Sequence, residues 1–161
     1  MSLSVVILAL VTAQRLGELW LSNRNTRRLL ARGAKEYGSA HYLPIVAMHA
    51  LWLTVLWLLA PGRPVELAWL AVYLILQAAR GWTLATLGER WTTRIIVLPD
   101  APLVRSGPYR FVNHPNYLVV IGEIAVLPLV FGLWQVALVF SVLNAIALGI
   151  RIMAENRALR G

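Results

Sequence analysis

Apolar residues run along this chain in five long stretches that are separated by polar connections. A helix needs about 20 mostly apolar residues to cross the hydrocarbon core of a bilayer. The pattern predicts an all-α fold, a polytopic transmembrane bundle of five helices in one domain spanning 1–161, with helices over about 3–20, 41–60, 65–87, 117–131 and 134–153. The fourth helix is the shortest.

The connections between these stretches differ in length and character. Pro61-Gly62-Arg63-Pro64 and Gly132 predict tight turns. The long connection, 88–116, is rich in turn-forming and hydrogen-bonding residues and ends in His114-Pro115-Asn116-Tyr117, where proline suits the first turn of helix four. We interpret it as a ligand-binding loop.

Composition supports a membrane location. The chain is 59% hydrophobic and 14% charged, whereas soluble domains average roughly 45–50% apolar and 25% charged residues. It has no cysteine, which excludes thiolate catalysis and cysteine-ligated metals, and no metal site is predicted. The net charge of +8 does not indicate nucleic-acid binding, because the arginines flank apolar spans instead of forming a soluble basic patch.

The basic residues predict the orientation of the bundle. One side of the membrane would hold almost all of them, and the opposite side only Arg63. Because basic loops stay in the cytoplasm, the N-terminus is predicted outside and the C-terminus inside. The first helix is interpreted as retained, since no basic residue precedes it. The excess of arginine over lysine indicates a GC-rich prokaryotic genome, so the predicted location is a prokaryotic inner membrane with the active site facing the cytoplasm. The residues on the cytoplasmic side would be Arg24, Arg27, Arg28, Arg32, Lys35, Arg90, Arg94, Arg105, Arg110, Arg157 and Arg160.

Ionisable side chains within apolar spans usually face the bundle interior. Arg15 and Glu18 have the i,i+3 spacing of a local ion pair. His49 is either an interior histidine with satisfied hydrogen bonds or one wall of an acceptor pocket.

Two carboxylates have open assignments. Glu123 lies about two turns into helix four and could pair with Arg80 or Arg151. Arg151 and Glu155 share a helix face, so they form either an i,i+4 salt bridge or a pair of ligand contacts. The opening of helix four offers a similar choice: an ordinary start of a helix, or an anion site with His114 and Tyr117 as partners.

Several motifs together resemble the isoprenylcysteine carboxyl methyltransferase family, and in particular its small bacterial five-helix members. The resemblance covers nearly the whole chain and is most specific in the combination of the HPNY element with Arg151 and Glu155. The chain has Asn113 where the family usually has arginine, and Asn156 where many relatives have a second acid. The motifs are Gly107-Pro108-Tyr109, His114-Pro115-Asn116-Tyr117, Arg151 with Glu155, Gln14 to Leu19, Ser22 to Asn25, Gly33 to Gly38, and His41-Tyr42 with His49.

The resemblance implies S-adenosylmethionine as methyl donor on the cytoplasmic side and a lipid acceptor that enters from the bilayer. Arg151 would be the catalytic residue that positions the acceptor, with His49 and Glu123 as further substrate-binding candidates. The cofactor would contact Pro102, Leu103 and Val104, partly through backbone groups, together with Tyr109, His114, Pro115, Asn116, Tyr117 and Glu155.

The function predicted is therefore an integral membrane O-methyltransferase that acts on a carboxylate or hydroxyl of a lipid-like or prenylated substrate. The residues reveal no dedicated base, which suits an acidic acceptor oxygen but leaves phenolic or pyrone lipids open. The main rival is an NADPH-dependent membrane reductase of the sterol-reductase type, which shares the HPNY element. A non-catalytic bundle is the third class.

Overall fold

Five helices and one small antiparallel sheet make up the computed structural model, which describes residues 1–160. Single turns of 3-10 helix lie at Ser39–His41, Gly88–Arg90 and Gly107–Arg110. The helices are α1 (Leu3–Ala31), α2 (Tyr42–Leu59), α3 (Leu67–Leu87), α4 (Pro115–Val130) and α5 (Trp134–Arg160), and the strands are β1 (Lys35–Tyr37) and β2 (Ile95–Val97).

Four helical segments are long and apolar enough to cross a membrane: Leu3–Ala31, Ser39–Leu59, Leu67–Arg90 and Trp134–Arg160. All five predicted helices are present, and α4 is the one below this length. Its 16 residues extend roughly 24 Å at 1.5 Å per residue. Pro115 fixes its start, and the positive φ of Gly132 (67°) turns the chain immediately after it.

Two predicted helix ends need correction. Helix α1 continues 11 residues beyond the predicted end at residue 20, because buried Ser22, Asn25, Thr26 and Leu29 form a helical face after the apolar run stops. Helix α5 likewise continues to Arg160. The predicted all-α class is confirmed, with one addition: the three-residue strands β1 and β2 pair with Glu36 opposite Ile96. The Arg94–Glu36 ion pair (2.8 Å) ties the two segments together.

The two ends of the bundle differ in how they are filled. At one end the N-terminus and two turns meet: the Gly62 N–H donates to Ser4 Oγ (3.2 Å) and the Glu66 N–H donates to the Val130 carbonyl (2.8 Å). The apolar core packs here, with Leu8, Leu56, Leu127, Val130 and Phe131 at most 1% exposed. We call this the apolar end. The opposite end, which carries the loop 88–114 and the last turns of α1 and α5, is the basic end.

A glycine fixes the shape of the loop at the basic end. Gly107 opens the last 3-10 turn with φ of 54°, a left-handed conformation that favours glycine. A Cβ at this position would also clash with the Thr86 side chain on α3. The loop can therefore pack closely against α3 only with glycine at this point of the Gly-Pro-Tyr motif.

Candidate functional site

Two cavities meet at the basic end of the bundle. The large cavity, about 270 Å³, lies among α1, α2, α4 and α5. The small cavity, about 120 Å³, lies between the loop and the neighbouring ends of α4 and α5. The side chains that border both cavities, which we call the shared wall, are Trp91, Asn116, Tyr117 and Arg151.

The small cavity gathers most of the residues predicted to bind the cofactor. Tyr109, His114, Asn116, Tyr117 and Glu155 all line it. The other predicted contacts do not: Pro115 is buried at the start of α4, and Pro102, Leu103 and Val104 lie outside the wall. The loop segment 102–104 is nevertheless adjacent, because Arg90, which lines the cavity, donates to the Pro102 carbonyl (2.7 Å).

A tyrosine hydroxyl stands between Arg151 and Glu155. Arg151 Nε donates to the Tyr117 hydroxyl (2.9 Å), which in turn donates to the Glu155 carboxylate. The predicted alternative of a direct i,i+4 salt bridge is wrong for the described residues 1–160, because Tyr117 occupies the position between the two charges. The opening of α4 at Pro115 thus places Tyr117 against α5, and the two motifs form one hydrogen-bonded unit.

Glu155 has further neighbours in the small cavity. His114 Nδ1 lies 3.7 Å from its carboxylate, and the His114 ring stacks on Tyr117 with centroids 5.3 Å apart. Burial, together with the Glu155 charge, raises the pKa of Tyr109 to about 12. Tyr109 therefore stays protonated at neutral pH and can donate a hydrogen bond to a ligand.

Thr93 joins three helices to the loop, a role that the sequence analysis missed. Its hydroxyl lies within hydrogen-bond distance of Ser22 Oγ (2.7 Å) and the Tyr42 hydroxyl (3.1 Å). Its carbonyl accepts from Arg151 Nη2. The only sequence signal at this point was the polar stretch from Ser22 in the family resemblance. Two guanidinium nitrogens of Arg151 are thus held by the protein, while Nη1 has no hydrogen-bond partner among residues 1–160.

Glu123 lies in a group of charged residues and does not line either cavity. Its Oε2 accepts from Arg15 Nη2 (2.7 Å) and Arg80 Nη1 (3.0 Å), and its Oε1 accepts from Gln77 (2.7 Å). Of the two predicted alternatives, Arg80 is therefore the partner and Arg151 is not. Its predicted role as a substrate contact stays a prediction. Because Glu123 does not line the large cavity, that role would be indirect, through Arg15 and Arg80, which do line it.

The predicted local pair of Arg15 and Glu18 is present (2.9 Å) but belongs to the same group. Arg80 bridges the two carboxylates, donating to Glu18 from Nε (2.6 Å) and Nη2 (2.7 Å) as well as to Glu123. We call Arg15, Glu18, Arg80 and Glu123 the ion cluster. Its two positive and two negative charges balance, as burial inside a bundle requires.

The large cavity combines polar and apolar walls. His49 lines it, together with Arg15, Glu18 and Arg80 of the ion cluster. The predicted role of His49 as a wall of an acceptor pocket stays a prediction. Leu16 on α1 and Ala50 on α2 also border it and are exposed on the bundle surface. The cavity therefore opens sideways between α1 and α2, on a surface whose exposed side chains are largely apolar.

Several buried polar atoms along these walls lack a hydrogen-bond partner within the described part of the chain. Such atoms are rare in folded proteins because each costs free energy unless it is paired. Those on cavity-lining residues are Arg15 Nε, Trp52 Nε1, Trp91 Nε1 and Asn116 Oδ1. Unpaired donors and acceptors therefore belong to residues that line the cavities.

Comparison with known proteins gives a family and two relatives. Residues 69–161 match the model of the isoprenylcysteine carboxyl methyltransferase (ICMT) family. The uncharacterized protein YpbQ of Bacillus subtilis is 38% identical over 160 residues, which cover 96% of this chain and 95% of YpbQ. An uncharacterized protein of Haemophilus influenzae is 27% identical, covering 96% of this chain and 93% of its own. No solved structure matches significantly.

Proposed function

The chain belongs to the isoprenylcysteine carboxyl methyltransferase family, and on that premise we propose that it transfers the methyl group of S-adenosylmethionine to an oxygen of a lipid-like acceptor. The observation that carries the proposal is the meeting of two cavities of opposite character at the shared wall. A polar ligand at the basic end and an apolar one entering between α1 and α2 would reach the same point.

The small cavity suits such a cofactor in its chemistry. Glu155 can accept from an ammonium or from ribose hydroxyls, whereas Tyr109 and Trp91 can donate. Its volume of about 120 Å³ is below the roughly 300 Å³ of sites that enclose a whole drug-sized ligand. We therefore expect the bound molecule to extend past the cavity towards 102–104, where the resemblance places further contacts.

The reaction needs alignment more than acid–base chemistry. The cofactor supplies a methyl group on a sulfonium sulfur. A lone pair of the acceptor oxygen forms the new carbon–oxygen bond as the carbon–sulfur bond breaks, and that bond pair leaves with the sulfur. Positioning the two atoms about 3–3.5 Å apart accounts for much of such an acceleration. Arg151 borders both cavities, and its Nη1 has no hydrogen-bond partner among residues 1–160, so in this proposal Arg151 holds the acceptor oxygen.

The protonation state of the acceptor decides whether a base is needed. A carboxylate reacts without losing a proton. A hydroxyl must lose a proton, and His49, which lines the large cavity, is the candidate base that accepts it. Its Nδ1 bonds the Ile45 carbonyl (2.8 Å), which makes Nδ1 the donor and leaves Nε2 as the acceptor. A carboxylate and a hydroxyl, including that of a phenolic or pyrone lipid, both remain within this proposal.

Replacing Glu155 by glutamine tests the cofactor site. We expect the affinity for S-adenosylhomocysteine to fall about 10- to 100-fold, the worth of a hydrogen bond to a charged group. Calorimetric titration of the detergent-purified protein measures it, with NADPH titrated in parallel. Glu89→Gln is the matched control, because Glu89 pairs with Arg28 (3.1 Å) on the exposed surface.

Three results of this titration would count against the proposal. Equal affinity in Glu155→Gln and the unaltered protein would place the cofactor elsewhere. Binding of NADPH without S-adenosylhomocysteine would move the protein to the reductase class. Binding of neither ligand would favour a bundle without catalytic function.

We also propose that the basic end faces the cytoplasm of a prokaryotic inner membrane, because basic residues collect there. The cysteine-free sequence allows a direct test with single cysteines. On intact bacterial cells, a membrane-impermeant maleimide should label Arg63→Cys, at the apolar end, and label Arg157→Cys only after permeabilisation. The reverse pattern would invert the orientation and separate the small cavity from the cytoplasmic cofactor pool.

A further inference from the structure

The large cavity has polar groups at two depths. The first set, at the shared wall, is Asn116, Tyr117 and Arg151; the second, further into the bundle, is Arg15, His49 and Trp52. Tyr42 and Ser22 contact Thr93 at the first level. On α2, His49 lies seven residues from Tyr42, and on α1, Arg15 lies seven residues from Ser22. At 1.5 Å per residue each step is roughly 10 Å. Both helices therefore give the same distance between the two levels of polar groups.

The deeper groups are not satisfied by the protein. Arg15 uses Nη1 for Glu18 and Nη2 for Glu123, while its buried Nε has no hydrogen-bond partner in residues 1–160. Trp52 is 1% exposed, and its Nε1–H likewise lacks a partner there. His49 Nδ1 is engaged by the Ile45 carbonyl. Two donors and the Nε2 acceptor of His49 thus belong to residues that line the deeper part of the large cavity.

The charge at this depth identifies the kind of group that fits. The ion cluster is balanced, so a second full charge on the ligand would be buried without a counter-ion, which is costly. A plain hydrocarbon tail would leave both donors and the His49 acceptor unpaired. A hydroxyl is neutral and can both accept and donate, so it suits donors and an acceptor together.

From this geometry, and resting on the proposed methyl transfer, we propose that Arg15, His49 and Trp52 form a second polar subsite for the acceptor lipid. It binds a neutral hydroxyl carried about 10 Å from the oxygen that is methylated. The acceptor class is then a lipid with two oxygen functions, one at its reacting end and one further along its chain or ring system. A lipid with a single terminal oxygen would bind more weakly.

Positional isomers of a hydroxy fatty acid test the subsite. Hexadecanoic acid and a set of its monohydroxy derivatives, with the hydroxyl at successive mid-chain carbons, are titrated into protein saturated with S-adenosylhomocysteine. We expect one isomer to bind about tenfold more tightly than hexadecanoic acid, the effect of one added hydrogen bond. His49→Phe and Trp52→Phe should each reduce that preference to within about twofold. Trp69→Phe, on the exposed surface of α3, should keep it.

The outcomes separate the subsite from the proposed function. Isomers that all bind like hexadecanoic acid, or a preference that survives in both His49→Phe and Trp52→Phe, would overturn the subsite and leave ordered water as the partner of these groups. Retained binding of S-adenosylhomocysteine in both variants would show that the cofactor site is intact. An isomer preference in a protein that binds no S-adenosylhomocysteine would support the subsite and contradict the proposed methyltransferase function.

Discussion

Replacing Arg151 by alanine is expected to lower kcat for methyl transfer about 10²- to 10³-fold, the usual effect of removing a preorganised donor at a reaction centre. Arg151 is buried, borders both cavities, and is held by the Tyr117 hydroxyl and the Thr93 carbonyl. Its remaining nitrogen is therefore fixed in place before the acceptor arrives. Transfer of tritium from S-[methyl-³H]adenosylmethionine to host membrane lipids measures the rate.

The binding of S-adenosylhomocysteine separates this effect from damage to the cofactor site. We expect its Kd to change by less than about fivefold in Arg151→Ala, because Glu155 and Tyr117 keep their own contact. Arg151→Lys should recover only part of the rate, since lysine keeps the charge but lacks the planar fork that contacts Tyr117 and Thr93 together. Arg157→Ala, on an exposed position of α5, is the control. A collapse of cofactor affinity with unchanged kcat would reverse the assigned role.

Replacing Glu123 by glutamine is expected to destabilise the bundle by about 3–5 kcal/mol, the effect of breaking a buried ion pair. The change leaves Arg15 and Arg80 facing Glu18 alone, so one positive charge is buried without a counter-ion. Glu123 is 1% exposed, so water cannot replace the lost partner. Unfolding of the protein in mixed micelles with increasing denaturing detergent measures the loss.

Two further variants show whether the loss comes from charge balance. Glu89→Gln breaks the exposed Arg28–Glu89 pair and should cost at most about 1 kcal/mol. Arg80→Gln combined with Glu123→Gln restores neutrality, so the double variant should lose less stability than the sum of the two single variants. Additive losses, or a Glu123→Gln protein as stable as Glu89→Gln, would contradict the charge argument.

The part of the site that lies near one helix terminus could be predicted from the sequence. Pro115 sets the start of α4, and i,i+4 spacing puts Arg151 and Glu155 on one face of α5. Both rules act within a single helix, which is why the residues were found. The intervening hydroxyl of Tyr117 was not predicted, because its position depends on how α4 packs against α5.

The ion cluster could not be predicted by rules that act within a single helix. Arg15 and Glu123 are separated by 108 residues, and periodicity tells which side of a helix faces inward but not which helix lies opposite. Thr93 itself carried no signal, although its partner Ser22 lay in a stretch that resembles the family: a threonine in a polar loop gains importance only when three helices meet at it. Helix α1 was predicted too short because hydropathy measures apolar runs, whereas Ser22 and Asn25 are buried with hydrogen bonds to the loop and Thr26 is buried by packing.

The shared wall also has a thermodynamic consequence. Because Tyr117 and Arg151 belong to both cavities, a ligand that shifts either side chain alters the space available to the other ligand. Linkage then makes the effect reciprocal: the factor by which the nucleoside changes the lipid's dissociation constant equals the factor by which the lipid changes the nucleoside's. Under the proposed function, the demethylated nucleoside and the methylated lipid would therefore change each other's affinity by one common factor, which the side chains of the shared wall determine.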